Sequence, residues 1–229
     1  MTDIKQFEEK LGVKFNDIEL LRTAFTHRSY INENRGNGIV HNERLEFLGD
    51  AVLELVVTDA LFKKFPDKPE GDLTALRSAL VNTTTLSTTA DSLGMNDYLL
   101  LSKGESKEKG RGRQFILADT LEAVIGALYL DQGYDAAGEF IGTHIVVLVD
   151  DIIKNESYRD AKSRLQELVQ EEHSITPTYD VIRSVGPDHD KVFTVGVFFN
   201  KKKIAEGSGK SKQEGEQEAA KQALELQDK

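Results

Sequence analysis

The chain has 229 residues, of which 39% are hydrophobic and 30% charged, and it contains no cysteine. This composition is typical of one large or two modest globular domains, and it excludes disulfides, cysteine-ligated zinc, iron–sulfur clusters and thiol nucleophiles. The net charge of −10 argues weakly against a nucleic-acid partner, but it is uneven: residues 159–229 hold 12 basic and 13 acidic residues, and residues 1–158 hold 17 and 26.

Membrane segments and export signals are not expected. A membrane span needs about 18 consecutive apolar residues, and the longest apolar stretch, Ala123 to Leu130, has eight. The first five residues lack the basic start and apolar core of a signal peptide. The sequence therefore predicts a cytoplasmic protein with no membrane partner.

Residues 1 to 154 follow a helical pattern throughout. Helices with a recurring apolar face are predicted at residues 17–25, at 42–65, from 72 onward, at about 115–131 and at about 135–154. Asp17, Asn42 and Asp72 are the predicted N-caps, and Pro66 ends the second of these helices. Residues 104–113, rich in glycine and charge, are predicted to form a loop.

The pattern changes after a short polar segment, Lys154 to Ser157, which is predicted to be a linker. A helix is predicted at about 160–172 and a last one at about 211–227. Between them, alternating apolar residues predict strands at 178–182, 192–198 and 203–207. The order α-β-β-β-α occupies about 70 residues, so the sequence predicts two domains, 1–154 and 159–229.

Carboxylates lie within two otherwise apolar helices. Glu46 and Asp50 are spaced i, i+4 on one helix, and Asp119 and Glu122 are the only charges in residues 115–130. Burying unpaired carboxylates is costly. Four that converge would favour a hard cation, Mg²⁺ or Mn²⁺, of the kind used in phosphodiester hydrolysis.

Two alternatives stay open on spacing alone. An acidic pair at i, i+4 is usually a solvated helix face, and Asp119 could instead cap a helix that begins later than predicted. The apolar surroundings of both pairs weaken the first alternative, because a solvated face is normally polar.

Three longer motifs surround these carboxylates. They are His41 to Asp50 (HNERLEFLGD), Glu70 to Leu73 (EGDL) and Leu117 to Ala123 (LADTLEA). In this order they resemble the signature motifs of the ribonuclease III family, and the likeness covers essentially the whole chain in the layout of the short bacterial members.

The resemblance implies an all-α N-terminal nuclease domain that forms a homodimer and takes double-stranded RNA. Each subunit would cut one strand and leave 5′-phosphate and 3′-hydroxyl ends with a short 3′ overhang. Precursors of ribosomal RNA, and also of messenger and transfer RNA, are the implied substrates.

The resemblance also implies roles for individual carboxylates. Glu46, Asp50, Asp119 and Glu122 correspond to the ligands of Mg²⁺, for which Mn²⁺ can substitute, and Asp50 and Glu122 are the implied catalytic residues. A metal-activated water would be the nucleophile. Glu43 and Glu70 match positions near the RNA or a possible second metal, and His27 and His41 are not needed as bases.

The C-terminal domain resembles a small α+β (α-β-β-β-α) double-stranded-RNA-binding domain. Its implied RNA contacts come from the first helix, the first hairpin turn and the start of the last helix: Lys162, Gln166, Glu167, Pro187, His189, Lys210, Ser211, Lys212 and Gln213. Such domains read duplex shape over about 16 base pairs.

This chain departs from the family pattern in the last helix. Gln213 and Gly215 stand where the family usually has a basic residue and an alanine, which predicts weaker and more salt-sensitive RNA anchoring. The basic residues Lys107, Lys109, Arg111 and Arg113 are more readily interpreted as part of a solvated loop than as RNA contacts.

A nucleotide cofactor is not expected. Gly209-Lys210-Ser211 matches the end of a phosphate-binding P-loop, but position 204 is Ile where the motif requires Gly, and no strand–loop–helix nucleotide unit is expected around it. A protein that binds duplex RNA without cutting it is the competing hypothesis, and the complete set of four carboxylates argues against it.

Overall fold

The computed structural model describes residues 4–34, 38–107, 109–154, 161–187 and 191–227. The chain divides into two units, Met1–Tyr158 and Arg159–Lys229. Within the described ranges, every helix is too short or too polar to cross a membrane. The predicted linker lies mostly outside the described residues.

The first unit is helical, as predicted. Its α-helices are α1 (Ile4–Leu11), α2 (Ile18–Ala24), α3 (Arg28–Glu33), α4 (Glu43–Lys64), α5 (Glu70–Val81), α6 (Thr83–Ser92), α7 (Arg111–Gln132), α8 (Tyr134–His144) and α9 (Val149–Lys154). Short 3₁₀ helices occur at Met95–Tyr98, Glu105–Lys107 and Val146–Leu148. An isolated parallel bridge joins Thr26 to Leu100.

Helix α7 is the centre of this unit. Its middle, Leu121 to Leu128, is buried apart from Glu122, and α4, α2, α6 and α8 all pack against it. This burial on every side explains why the segment is almost uniformly apolar instead of having one apolar face. Its hydrocarbon side chains supply much of the driving force for folding.

Two glycines allow α4 and α7 to cross at backbone contact. A Cβ added to Gly49 would lie 1.8 Å from the carbonyl oxygen of Glu122, and one added to Gly126 would lie 2.2 Å from that of Leu45. Real Cβ atoms do not approach a carbonyl so closely, so any larger residue would force the two helices apart.

Replacing Gly126 with alanine is therefore expected to be strongly destabilising. We expect the free energy of unfolding to fall by about 3 kcal/mol, because the added methyl group must displace helix backbone. Urea unfolding would measure it. Gly142→Ala is the control, since its new Cβ meets nothing within 4 Å on α8; it should be neutral or stabilise by up to about 1 kcal/mol. Equal effects would contradict the close crossing.

Some predicted helix starts were wrong. Asp72 does not cap α5, because Pro69 occupies the cap position with φ −64° and ψ 157° and the helix begins at Glu70. Helix α7 begins at Arg111, four residues before the predicted start, so Asp119 lies well inside the helix and cannot be its cap. Arg111 and Arg113 thus belong to a helix instead of the predicted loop.

Two other differences concern caps and breaks. Asn42 does precede α4, but its side-chain amide donates to the carbonyl oxygen of Ala24 at 3.2 Å and makes no capping bond. The predicted helix at 135–154 is interrupted at Ile145, where φ and ψ leave helical values, and continues through a 3₁₀ turn into α9.

The second unit has the predicted α-β-β-β-α order. It contains α10 (Ala161–His173), β1 (Thr178–Val185), β2 (Val192–Phe199), β3 (Lys202–Gly209) and α11 (Lys212–Gln227). The strands form one antiparallel sheet in the order β1-β2-β3. Its core is built from Leu165 and Val169 of α10, Val197 of β2 and the alanine face of α11.

Candidate metal centre and nucleic-acid interface

Three predicted carboxylates meet where α4 and α7 cross. Glu46, Asp119 and Glu122 each offer one oxygen, and these three oxygens lie within 4.8 Å of one another. All three side chains are half-buried. The crossing at Gly49 and Gly126 explains the convergence, because it brings the backbone beside Glu46 and Glu122 into contact.

The carboxylates of this triad hold protons more tightly than ordinary ones. Burial, with the negative charges of Asp50, Asp119 and Glu46, raises the pKa of Glu122 to about 8. Burial, with the charges of Asp119, Glu43 and Asp50, raises the pKa of Glu46 to about 7. Burial also raises the pKa of Asp119. Each shift reports a cost of ionisation that a bound cation would relieve.

Asp50 lies beside the triad without joining it. Its side chain is exposed one helical turn after Glu46, and its oxygens are not part of the group within 4.8 Å. Its charge nevertheless raises the pKa values of both Glu46 and Glu122. Of the four predicted ligands, three converge and the fourth lies at the edge of the cluster.

The Glu43 carboxylate forms a salt bridge with Arg28 and lies near the imidazole ring of His41. Arg28 at the start of α3 lies 3.2 Å from one carboxylate oxygen, and Nδ1 of His41 lies 3.7 Å from the other. Sequence spacing could not predict the contact between Arg28 and Glu43, because only the folded chain brings α3 to the start of α4.

Glu70 lies outside the carboxylate triad. It is the first residue of α5, and its carboxylate accepts a hydrogen bond from Thr74 Oγ1 at 2.9 Å. It lines a cavity of about 240 Å³ together with Phe62 of α4 and Arg77 of α5. It is not one of the residues that offer an oxygen to the triad.

The predicted RNA contacts of α10 fall into two groups. Gln166 and Glu167 are both exposed. Lys162 is instead engaged within the protein: its ammonium forms a salt bridge with Glu216 of α11 and lies 5.0 Å from the centre of the Tyr179 ring. A lysine expected to face RNA is therefore bound to a carboxylate of its own unit.

The start of α11 is capped by its own side chains. Ser211 Oγ accepts from the backbone N–H of Glu214 at 3.1 Å, and the Glu214 carboxylate accepts from the backbone N–H of Lys210 at 2.7 Å. The first bond is that of a capping box, whereas the second reaches the N–H of Lys210, one residue before the Ser211 N–H that a capping box would use. The side chains of Lys210, Lys212 and Gln213 remain exposed.

Gly215 also has a packing role, which depends on tertiary contacts. It is buried where α11 crosses β2, and an added Cβ would lie 2.8 Å from Val195 Cγ2 and 3.3 Å from the carbonyl oxygen of Phe193. The glycine thus permits a close approach of helix and sheet, besides its intrinsic cost to the helix.

The remaining predicted contacts are less defined. Pro187 is exposed after Gly186, which has a φ of 108°, and His189 lies outside the described residues. The predicted third strand does precede Lys210 and Ser211, since β3 ends at Gly209. The two-residue connection to α11 is much shorter than the glycine-rich loop of a P-loop.

Comparison with known proteins agrees with this architecture. Residues 17–149 match the family model described as "Ribonuclease-III-like", and residues 161–227 match "Double-stranded RNA binding motif". A curated relative named Ribonuclease 3, from Carboxydothermus hydrogenoformans, is 49% identical over 223 residues, which are 96% of this chain and 93% of the relative. The chain belongs to the ribonuclease III family.

Other members of the family support the same assignment. Ribonuclease 3 from Desulforamulus reducens is 44% identical over 96% of this chain and 89% of its own length. The solved nuclease domain of ribonuclease III from Campylobacter jejuni is 43% identical, has a TM-score of 0.57, and covers 62% of this chain and 96% of its own. As a member of this family, the chain is a double-stranded-RNA endoribonuclease with a separate duplex-binding motif.

Proposed function

We propose that this chain hydrolyses phosphodiester bonds of double-stranded RNA at the α4–α7 crossing, with Mg²⁺ held by Glu46, Asp50, Asp119 and Glu122. The observation that carries this proposal is the convergence of three carboxylate oxygens within 4.8 Å. The products are 5′-phosphate and 3′-hydroxyl ends with a short 3′ overhang.

The donor set of the triad fits a hard divalent cation. All its donors are carboxylate oxygens, which suit Mg²⁺ and also Mn²⁺. The raised pKa values of Glu46 and Glu122 fit as well, because a cation would offset both the burial and the repulsion between carboxylates that raise them. When bound, the metal supplies Lewis acidity, which activates water as the nucleophile and stabilises charge on the leaving oxygen.

The protein's own residues would pre-organise this site. The backbone contacts at Gly49 and Gly126 hold the helix segments that carry Glu46 and Glu122 against each other. Little reorganisation of the two carboxylates is therefore needed when the cation binds. Asp50 and Glu122 are the proposed catalytic residues. Glu43 and Glu70 are proposed to act near the RNA or a second metal, and Arg28 would orient the Glu43 carboxylate.

The duplex-binding motif is proposed to hold the substrate through shape and phosphate contacts. Its exposed polar residues on α10, the turn after β1 and the start of α11 are the proposed contacts, namely Gln166, Glu167, Pro187, His189, Lys210, Lys212 and Gln213, with Ser211 as a capping residue.

The domain limits and biological setting are also proposals. We place the nuclease domain at 1–154 and the RNA-binding domain at 159–229, limits supported by the ranges of the two family models. Precursors of ribosomal RNA, followed by those of messenger and transfer RNA, are the proposed substrates, and the cytoplasm is the proposed location.

A cleavage assay on a long perfect RNA duplex tests the activity. With Mg²⁺ we expect the duplex to be cut, a single strand of the same sequence to be spared, and EDTA to stop the reaction. Ligation that requires a 5′-phosphate would identify the ends. A protein that binds the duplex but never cuts it with Mg²⁺ or Mn²⁺ would be a binding protein, and the proposed activity would be wrong.

A second copy of the chain is the proposed partner of an apolar stripe on α4. Phe47, Leu55 and Phe62 follow one side of this helix and are 80%, 58% and 70% exposed. Beside Phe47 lies a cavity of about 740 Å³ lined in part by Val40 and Leu130. Exposed apolar surfaces of this kind usually mark interaction sites, and the similar nuclease domain from Campylobacter jejuni has a region involved in dimer formation.

The charge-introducing substitution Phe47→Glu is expected to convert a dimer into a monomer. Burying an unpaired carboxylate in an apolar interface costs several kcal/mol, so the apparent dissociation constant should rise by about 100-fold or more. Analytical ultracentrifugation would measure this. Leu226→Glu, at an equally apolar and 55% exposed position of α11, is the control and should remain dimeric. A wild-type monomer would refute the proposed dimer.

A further inference from the structure

The salt bridge between Lys162 and Glu216 joins the two helices of the RNA-binding unit. Both side chains are only about one-third exposed, at 33% and 27%. The Lys162 ammonium also lies 5.0 Å from the Tyr179 ring centre, within the range of a cation–π interaction. Three separate elements, α10, β1 and α11, therefore hold this one cation.

Neutralisation within the protein changes what Lys162 can contribute to RNA binding. A lysine attracts phosphate through its net charge, and each phosphate contact releases counterions. When Glu216 already neutralises the ammonium, the pair adds almost no net charge to the surface. RNA could use Lys162 fully only by displacing the Glu216 carboxylate.

The neighbouring backbone reinforces this pairing. The N–H of Ala161, which precedes Lys162, donates to Gln217 Oε1 at 3.0 Å, so α11 holds the start of α10 through two consecutive side chains. The Lys162 side chain therefore starts from a position fixed against α11 instead of sampling solvent, which makes its release toward RNA costly.

We propose that Glu216 restrains RNA binding by holding Lys162 in an intramolecular pair, so that Lys162 joins α10 to α11 and contributes little to the RNA affinity of the wild-type chain. This inference rests on the proposed duplex-binding function and adds a residue that tunes its strength.

The test measures affinity for a short labelled RNA duplex by fluorescence anisotropy, with the full-length chain in EDTA so that cleavage does not intervene. Glu216→Gln should bind about five-fold or more tightly, with a slope of log affinity against log salt that is steeper by about 0.7 to 0.9, as expected for one added phosphate contact. Glu225→Gln makes the same charge change at an exposed position later in α11 and should change affinity by less than about two-fold.

Lys162→Met completes a double-mutant cycle. Alone, it leaves the Glu216 carboxylate without its cation, so affinity should fall modestly; in the Glu216→Gln background it should abolish the gain and return affinity to within about two-fold of the wild-type value. Circular dichroism would check that each variant folds, and Glu216→Ala provides a second variant if Glu216→Gln does not.

Several outcomes would overturn the inference. Equal gains from Glu216→Gln and Glu225→Gln would mean that net charge alone matters. A loss of affinity in Glu216→Gln, or a double variant that binds RNA much more weakly than the wild type, would mean that the pair presents Lys162 to RNA. If the wild-type chain failed to prefer duplex over single-stranded RNA, the proposed duplex-binding function itself would be wrong, and the inference with it.

Discussion

Glu122→Gln is expected to abolish RNA cleavage while leaving duplex binding intact. The substitution keeps the size of the side chain but removes one of three converging carboxylates. We expect the cleavage rate to fall by at least about 10³-fold, equivalent to about 4 kcal/mol of transition-state stabilisation. Duplex affinity should change by less than about two-fold, because most of the predicted RNA contacts belong to the other unit and Glu122 is not one of them.

Single-turnover cleavage and anisotropy binding on the same RNA would separate the two effects. Glu139→Gln on α8 removes an equivalent charge from an exposed position of the nuclease unit and should retain wild-type cleavage. Cleavage by Glu122→Gln at a wild-type rate would remove Glu122 from the proposed site. Weak binding that accompanies slow cleavage would indicate that Glu122 contributes to holding RNA.

The same substitution is expected to make the metal-free protein more stable. At pH 8 the Glu122 carboxylate is ionised in part at the cost of burial and repulsion from Asp50 and Asp119, and an amide carries no charge. Charged groups of active sites commonly lower the stability of the fold in this way. A higher thermal midpoint for Glu122→Gln in EDTA would therefore accompany the loss of activity.

Local patterns in the sequence were sufficient to predict most of the fold. The apolar content of residues 115–130 predicted a core helix, and period-2 alternation predicted the hairpin of β1 and β2. The errors lie at helix ends: Pro69 fixes a backbone conformation that starts α5 before Asp72, and Asn42 uses its amide to bind Ala24 across the fold. Both depend on geometry that apolar periodicity does not encode.

The site was only partly predictable, because its parts meet through tertiary contacts. Spacing placed Glu46 and Asp50 on one helix, but it could not show that only Glu46 reaches Asp119 and Glu122. That outcome depends on the crossing at Gly49 and Gly126. The partners of the charged residues were equally hidden, since Arg28 meets Glu43, and Lys162 meets Glu216 from 54 residues away.

The stability of the metal-free chain is expected to fall as the pH rises from about 5 to 8. The folded-state pKa values of Glu46 and Glu122, about 7 and about 8, lie above the ordinary value of 4.5. In this window the folded state retains protons that the unfolded state has released, so raising the pH favours unfolding. The thermal midpoint in EDTA should therefore be several degrees lower at pH 8 than at pH 5.5.

Mg²⁺ should reverse this dependence, because the cation binds the ionised carboxylates and competes with protons. Calorimetry of the full-length chain would show a Mg²⁺-induced rise in the midpoint that is larger at pH 8 than at pH 6. A variant with both Glu46→Gln and Glu122→Gln should lose the Mg²⁺ response and much of the fall with pH. A Mg²⁺ effect of the same size in that variant would place the cation elsewhere, since neither mutated side chain could then be among the ligands that stabilise the fold.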